Sequence, residues 1–99
     1  MAMTNKGLSK LVEEMGELNQ VIGKMLQYPD LMCEGQALHP DGTHLRSRLE
    51  EEMADVLCAA RFVAEKMNLD ITKIYQRQIA KEMLFKRWDA GEDAEPRQP

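Results

Sequence analysis

Leu11-Val12-Glu13-Glu14-Met15-Gly16-Glu17-Leu18 and, 38 positions further on, Leu49-Glu50-Glu51-Glu52-Met53-Ala54-Asp55-Val56 are two versions of one pattern. On a helix that advances about 100° per residue, with Leu11 at zero, the apolar stripe lies within about 60° either side, Glu14 at about 300° and Glu17 at about 240°. Val21, at about 280°, continues the strip that the acids occupy, and Glu13, at about 200°, points further outward. With Leu49 as zero, Glu52, Asp55 and Ala59 take the same places at about 300°, 240° and 280°. Each segment therefore carries an acidic ledge along one border of an apolar stripe. If the two helices pack antiparallel, the ledges face each other and four carboxylates gather in one small volume.

The flanking sequence supports helices around both ledges. Apolar residues recur at helical spacing from Leu8 through Leu11, Val12, Met15, Leu18, Ile22 and Met25 to Leu26, and Tyr28-Pro29-Asp30 stops the pattern. Pro29, Gly35, Pro40 and Gly42 make residues 29–44 a loop, with room for one short helical turn and with His39-Pro40-Asp41-Gly42 as a turn. A second period runs from Leu49 through Met53, Val56, Leu57, Ala60, Val63 and Ala64 to Met67, with a cap expected near Thr43 or Ser47. Asp70 is the expected N-cap of a third helix that carries Ile71, Ile74, Tyr75 and Ile79 towards Phe85 and Trp88. No stretch alternates with period two over the length of a strand. The expectation is an all-α fold: a compact bundle of three long helices plus a loop or short helix, one domain over residues 1–91 with a disordered tail at 92–99.

Ninety-nine residues make a thin core, so a second subunit is expected to complete the burial in a homo-oligomer. Thirteen Lys and Arg against seventeen Asp and Glu give a net charge of -4, which argues against a nucleic-acid binder. Cys33 and Cys58 stand far apart with no ligand spacing, and read as free thiols of a reducing cytoplasm. The Met1 to Lys10 stretch has no apolar signal core and no run is long enough to span a bilayer, so a cytoplasmic protein without membrane contact is expected. The eight methionines sit mostly at core-periodic positions and read as adaptable core filler.

Four carboxylates at close range destabilise one another's ionised forms, and a hard divalent cation resolves the conflict. Oxygen-only ligands suit Mg²⁺, with Mn²⁺ as a second possibility, and no His or Cys stands at zinc-ligand spacing. Carboxylates at i, i+3 on facing helices are also how helical bundles build internal metal sites. The competing reading is that Glu-rich helix faces are solvated or paired with Lys and Arg. A single ExxE favours that reading; two copies at equivalent positions beside an apolar stripe favour the metal site.

Glu13-Glu14-x-x-Glu17 followed by Glu52-x-x-Asp55 resembles the EExxE...ExxD signature of the MazG-like, all-α nucleoside triphosphate pyrophosphatases, over roughly residues 8–88. The resemblance implies that Glu14, Glu17, Glu52 and Asp55 hold Mg²⁺ against a triphosphate, and that Glu13 orients or deprotonates the attacking water. It further implies hydrolysis of a ribo- or deoxyribonucleoside triphosphate between the α and β phosphates, giving a monophosphate and pyrophosphate with no protein nucleophile. The 34 residues between Glu17 and Glu52 are more than the most compact members of that family have. The surplus, from Tyr28 to His44, is either a lid or base-pocket wall using His39, Asp41 and His44, or a plain surface connection.

Further candidates lie beyond the ledges. With Ile71 as zero, Arg77 falls at about 240° and Lys81 at about 280°, a basic strip that either meets the β and γ phosphates or forms a solvated face. Phe62 and Trp88 stand off the main stripes, and each either stacks a base or enters a subunit interface. Two other enzymatic and binding readings compete: phosphoribosyl-ATP pyrophosphohydrolysis on a similar helical fold, and a non-catalytic helical module whose acidic ledge binds a basic partner. Divalent-cation storage is a third.

Overall fold

A computed structural model of the chain describes residues 5–27 and 44–91. Its helices are α1 (Leu8–Gln27), α2 (Leu45–Lys66) and α3 (Ile71–Asp89), and no strand forms among the described residues. The fold is all-α, as the sequence predicts. The chain divides into two compact units, Met1–Asn68 with the α1/α2 hairpin and Leu69–Pro99 with α3.

Within the hairpin the helices run antiparallel. Gly7, just before α1, lies against Phe62 and Val63 near the end of α2, while Val21 and Met25 near the end of α1 cluster with Leu45 at the start of α2. The buried positions follow a seven-residue step: Gly7, Glu14 and Val21 on one side, Leu45, Glu52 and Ala59 on the other. Seven residues turn a helix to within about 20° of two full turns, so Glu14 and Val21 share one strip of α1, and Leu45, Glu52 and Ala59 one strip of α2. The shift of 38 that relates the acidic motifs also carries Gly7 to Leu45, Val21 to Ala59 and Met25 to Val63, all of them buried. The hairpin thus has an internal quasi-twofold symmetry, with Glu14 and Glu52 in its middle layer.

This arrangement corrects one expectation. The wheel places the acids on the flank of a stripe centred on Leu11 and Leu49; the structure makes that flank the helix contact. Leu11, Leu18, Leu49 and Val56 are only half-buried, and Leu8, Val12, Met15, Ile22, Leu26, Met53 and Leu57 stay exposed. The reason is geometric: two helices touch along a strip narrower than the apolar stripe of either, so the hairpin covers one edge of each stripe and leaves the other.

The ends are set by local chemistry. Gly7 has φ +87°, and an added Cβ there would lie 2.6 Å from the Phe62 ring, so both conformation and space demand glycine. α2 starts a turn earlier than the apolar period suggests, at His44, whose side chain makes no capping hydrogen bond; Ser47 lies inside the first turn and Thr43 lies outside the described residues. Asn68 closes α2 in the left-handed region at φ 53°, a conformation Asn tolerates. Asp70 caps α3 as expected, its carboxylate accepting from the Lys73 N–H at 3.0 Å. No residue of α3 is buried. Among the described residues no helix is long and apolar enough to cross a membrane. The loop or short helix expected at 29–44, apart from His44, and the tail at 92–99 lie outside the described residues.

Candidate metal centre

Antiparallel packing brings the ledges together. One carboxylate oxygen each from Glu14, Glu52 and Asp55 lies within 4.8 Å of the others, and Glu13, Glu14 and Glu17 form a second such group on α1. Glu14 belongs to both. All five acids named from the sequence therefore sit in one connected cluster across the middle of the hairpin.

Burial separates their roles. Glu14 and Glu52 are 7 % and 2 % exposed, Glu17 is half-buried, and Glu13 and Asp55 are exposed. An ionised carboxylate removed from water is destabilised by several kcal/mol unless it is paired. Each buried acid has a cation beside it: Lys10 Nζ lies 3.2 Å from Glu14 Oε1, and Arg48 Nη2 lies 3.3 Å from Glu52 Oε1. The other oxygens, Glu14 Oε2 and Glu52 Oε2, are buried with no hydrogen-bond partner. Burial pushes the Glu52 carboxyl up, Arg48 opposes the shift, and the nearby Glu17 and Asp55 charges push it further up. Two orphaned buried oxygens beside further carboxylates form an incomplete shell of hard donors, which fits a divalent cation.

A hairpin of this kind with this acid pattern has a counterpart among known families. The model of the MazG nucleotide pyrophosphohydrolase domain matches residues 4–84. The chain belongs to the MazG family. The match spans both ledges and most of α3, and it makes the protein a nucleotide pyrophosphohydrolase in general class. No curated protein and no solved structure matches the chain significantly. The MazG assignment and the clustered acids together support a divalent-metal site.

The remaining candidates distribute as follows. Arg77 and Lys81 line a groove along α3 with Lys73, Ile74, Gln78 and Phe85. The Phe62 ring packs over Gly7 and has Lys66 Nζ 5.5 Å from its centroid, an intramolecular use that the sequence reading did not include. Trp88 stacks on Phe85 with centroids 5.1 Å apart, and its indole N–H is buried without an acceptor. His39 lies outside the described residues, as does Cys33; Cys58 is a free thiol on the exposed side of α2. Sequence reasoning missed Lys10 and Arg48. Their signal was present, since a cation three and four residues before two acids is placed to reach both.

Proposed function

We propose that this MazG protein hydrolyses a ribo- or deoxyribonucleoside triphosphate between the α and β phosphates in a Mg²⁺-dependent reaction, releasing a monophosphate and pyrophosphate. The observation that carries the reading is the pair of buried, half-satisfied carboxylates, Glu14 and Glu52, at the centre of the hairpin. A basic-partner docking surface has no use for acids withdrawn from its reach. Glu14, Glu17, Glu52 and Asp55 hold the metal, with Mn²⁺ as an alternative ion. Bound metal supplies charge neutralisation at the phosphoryl oxygens and activates water. Glu13 is exposed beside Glu14 and orients the attacking water or takes its proton. Arg77 and Lys81 bind the distal phosphates, and Trp88 and His39 contact the base or a neighbouring subunit.

The proposal includes a homo-oligomer, a dimer or tetramer, of a cytoplasmic protein. The uncovered edge of the apolar stripes supports it, with Val12 70 % and Leu57 65 % exposed. Product analysis with a panel of ribo- and deoxyribonucleoside triphosphates, with and without Mg²⁺, tests the reaction. Monophosphate plus pyrophosphate, formed only with metal, is the expected result. Release of inorganic phosphate, or turnover indifferent to chelation, contradicts it, and turnover of phosphoribosyl-ATP alone moves the substrate to that compound.

A further inference from the structure

Lys10 and Arg48 stand in the same relation to the two acidic ledges. Lys10 Nζ lies 3.2 Å from both Glu13 Oε1 and Glu14 Oε1; Arg48 lies 3.3 Å from both Glu51 Oε1 and Glu52 Oε1. The shift of 38 that relates the helices carries Lys10 to Arg48, Glu13 to Glu51 and Glu14 to Glu52. The internal symmetry therefore includes the cations as well as the acids. Each cation bonds both an exposed acid and the buried acid at the centre, so each straddles the border between the site and solvent.

This placement creates a conflict of charge. A divalent cation held by Glu14 and Glu52 meets Lys10 and Arg48 bonded to the same two carboxylates, and like charges at this range repel. Both side chains are long and only partly buried, 47 % exposed for Lys10 and 29 % for Arg48, so they can turn outward along their stems. A cation that leaves a carboxylate at the rim of a metal-triphosphate site next meets phosphate oxygens, the other strong acceptors there.

We propose that Lys10 and Arg48 are exchangeable counterions of the metal centre, which hold Glu14 and Glu52 while no metal is bound and turn to the substrate's phosphates when metal takes the carboxylates. The inference rests on the metal-dependent reading above and adds two positioning residues to it, one from each ledge. Binding of Mn²⁺ alone, and then of inorganic tripolyphosphate to the Mn²⁺-loaded protein, tests it by calorimetry on the full chain. Lys10→Met and Arg48→Met should each bind Mn²⁺ about three- to tenfold more tightly than wild type, and the tripolyphosphate at least about tenfold more weakly. Lys10→Arg should restore both values, and Lys66→Met, which removes a cation elsewhere on α2, should alter neither. Unchanged Mn²⁺ affinity in Lys10→Met and Arg48→Met, or an effect no larger than that of Lys66→Met, overturns the exchange. Tightened Mn²⁺ with unchanged tripolyphosphate overturns the phosphate half. Absence of Mn²⁺ binding by wild type overturns the metal reading and this inference together, whereas the expected binding pattern without nucleotide turnover overturns only the proposed reaction.

Discussion

At the scale of the residue, Glu52 concentrates the conflict between stability and function. It is the most buried acid of the chain's described residues, and its carboxyl is pushed up by burial and by Glu17 and Asp55 against the pull of Arg48. A raised folded-state value means that the folded protein holds this proton more tightly than the unfolded chain does. Between the ordinary Glu value of 4.5 and the raised one, the folded state binds more protons, so metal-free stability falls as pH rises through that window. Urea melts of metal-free protein at pH 4 to 8 should show that fall, and Glu52→Gln should flatten it; a wild-type curve that rises with pH in this range contradicts the assignment. Activity is expected to drop at least about 100-fold in Glu14→Gln and Asp55→Asn with the helical content preserved, since each removes a ligand charge. Full turnover in either variant, measured as pyrophosphate release, places the metal elsewhere. Gly7→Ala should be destabilising by about 2–4 kcal/mol, from left-handed strain and from the clash with the Phe62 ring. Thermal unfolding measures it.

At the scale of the element, the helices and their acids were legible and the face they bury was not. Hydrophobic period, Pro29 and Asp70 located three helices within a few residues, and the repeated ExxE and ExxD spacing gave Glu14, Glu17, Glu52 and Asp55, while Glu13 was named only through the family resemblance. A helical wheel fixes the angle between residues but not which edge of a wide apolar stripe meets a partner. The acids therefore read as a flank, whereas Glu14 and Glu52 lie in the middle of the contact. Leu45 escapes the reading for a related reason: the apolar period begins only at Leu49, and the N-cap, His44, makes no side-chain hydrogen bond, although a cap near Thr43 is expected one residue away. Lys10 and Arg48 are not singled out by the sequence reading, and only the quasi-twofold relation puts them on equivalent acids. On α3 the cap at Asp70 is the main local support of the first turn. Asp70→Ala should weaken that turn by about 1 kcal/mol, visible as faster amide exchange at Lys73 and its neighbours. Exchange there at the wild-type rate removes the role assigned to the cap.

At the scale of the whole molecule, a thin hairpin gives its most secluded layer to charge and leaves much of its apolar surface uncovered. Among the described residues the buried apolar set is small, from Val21, Met25 and Leu45 to Ala59, Val63 and Ala64, while Val12 and Leu57 stand in solvent. Leu57→Lys is expected to shift the protein towards monomer in sedimentation, with helicity retained; an unchanged sedimentation coefficient takes the interface away from this face. On the proposed reading, Glu14 and Glu52 are buried for the sake of a metal and at the expense of the metal-free fold. Thermal unfolding of wild type and Glu52→Gln at neutral pH, each with and without Mg²⁺, tests it most directly. Without metal the variant should melt at the higher temperature, and Mg²⁺ should raise the wild-type midpoint while leaving the variant unmoved. A variant that melts lower without metal, or gains as much from Mg²⁺ as wild type, contradicts the account.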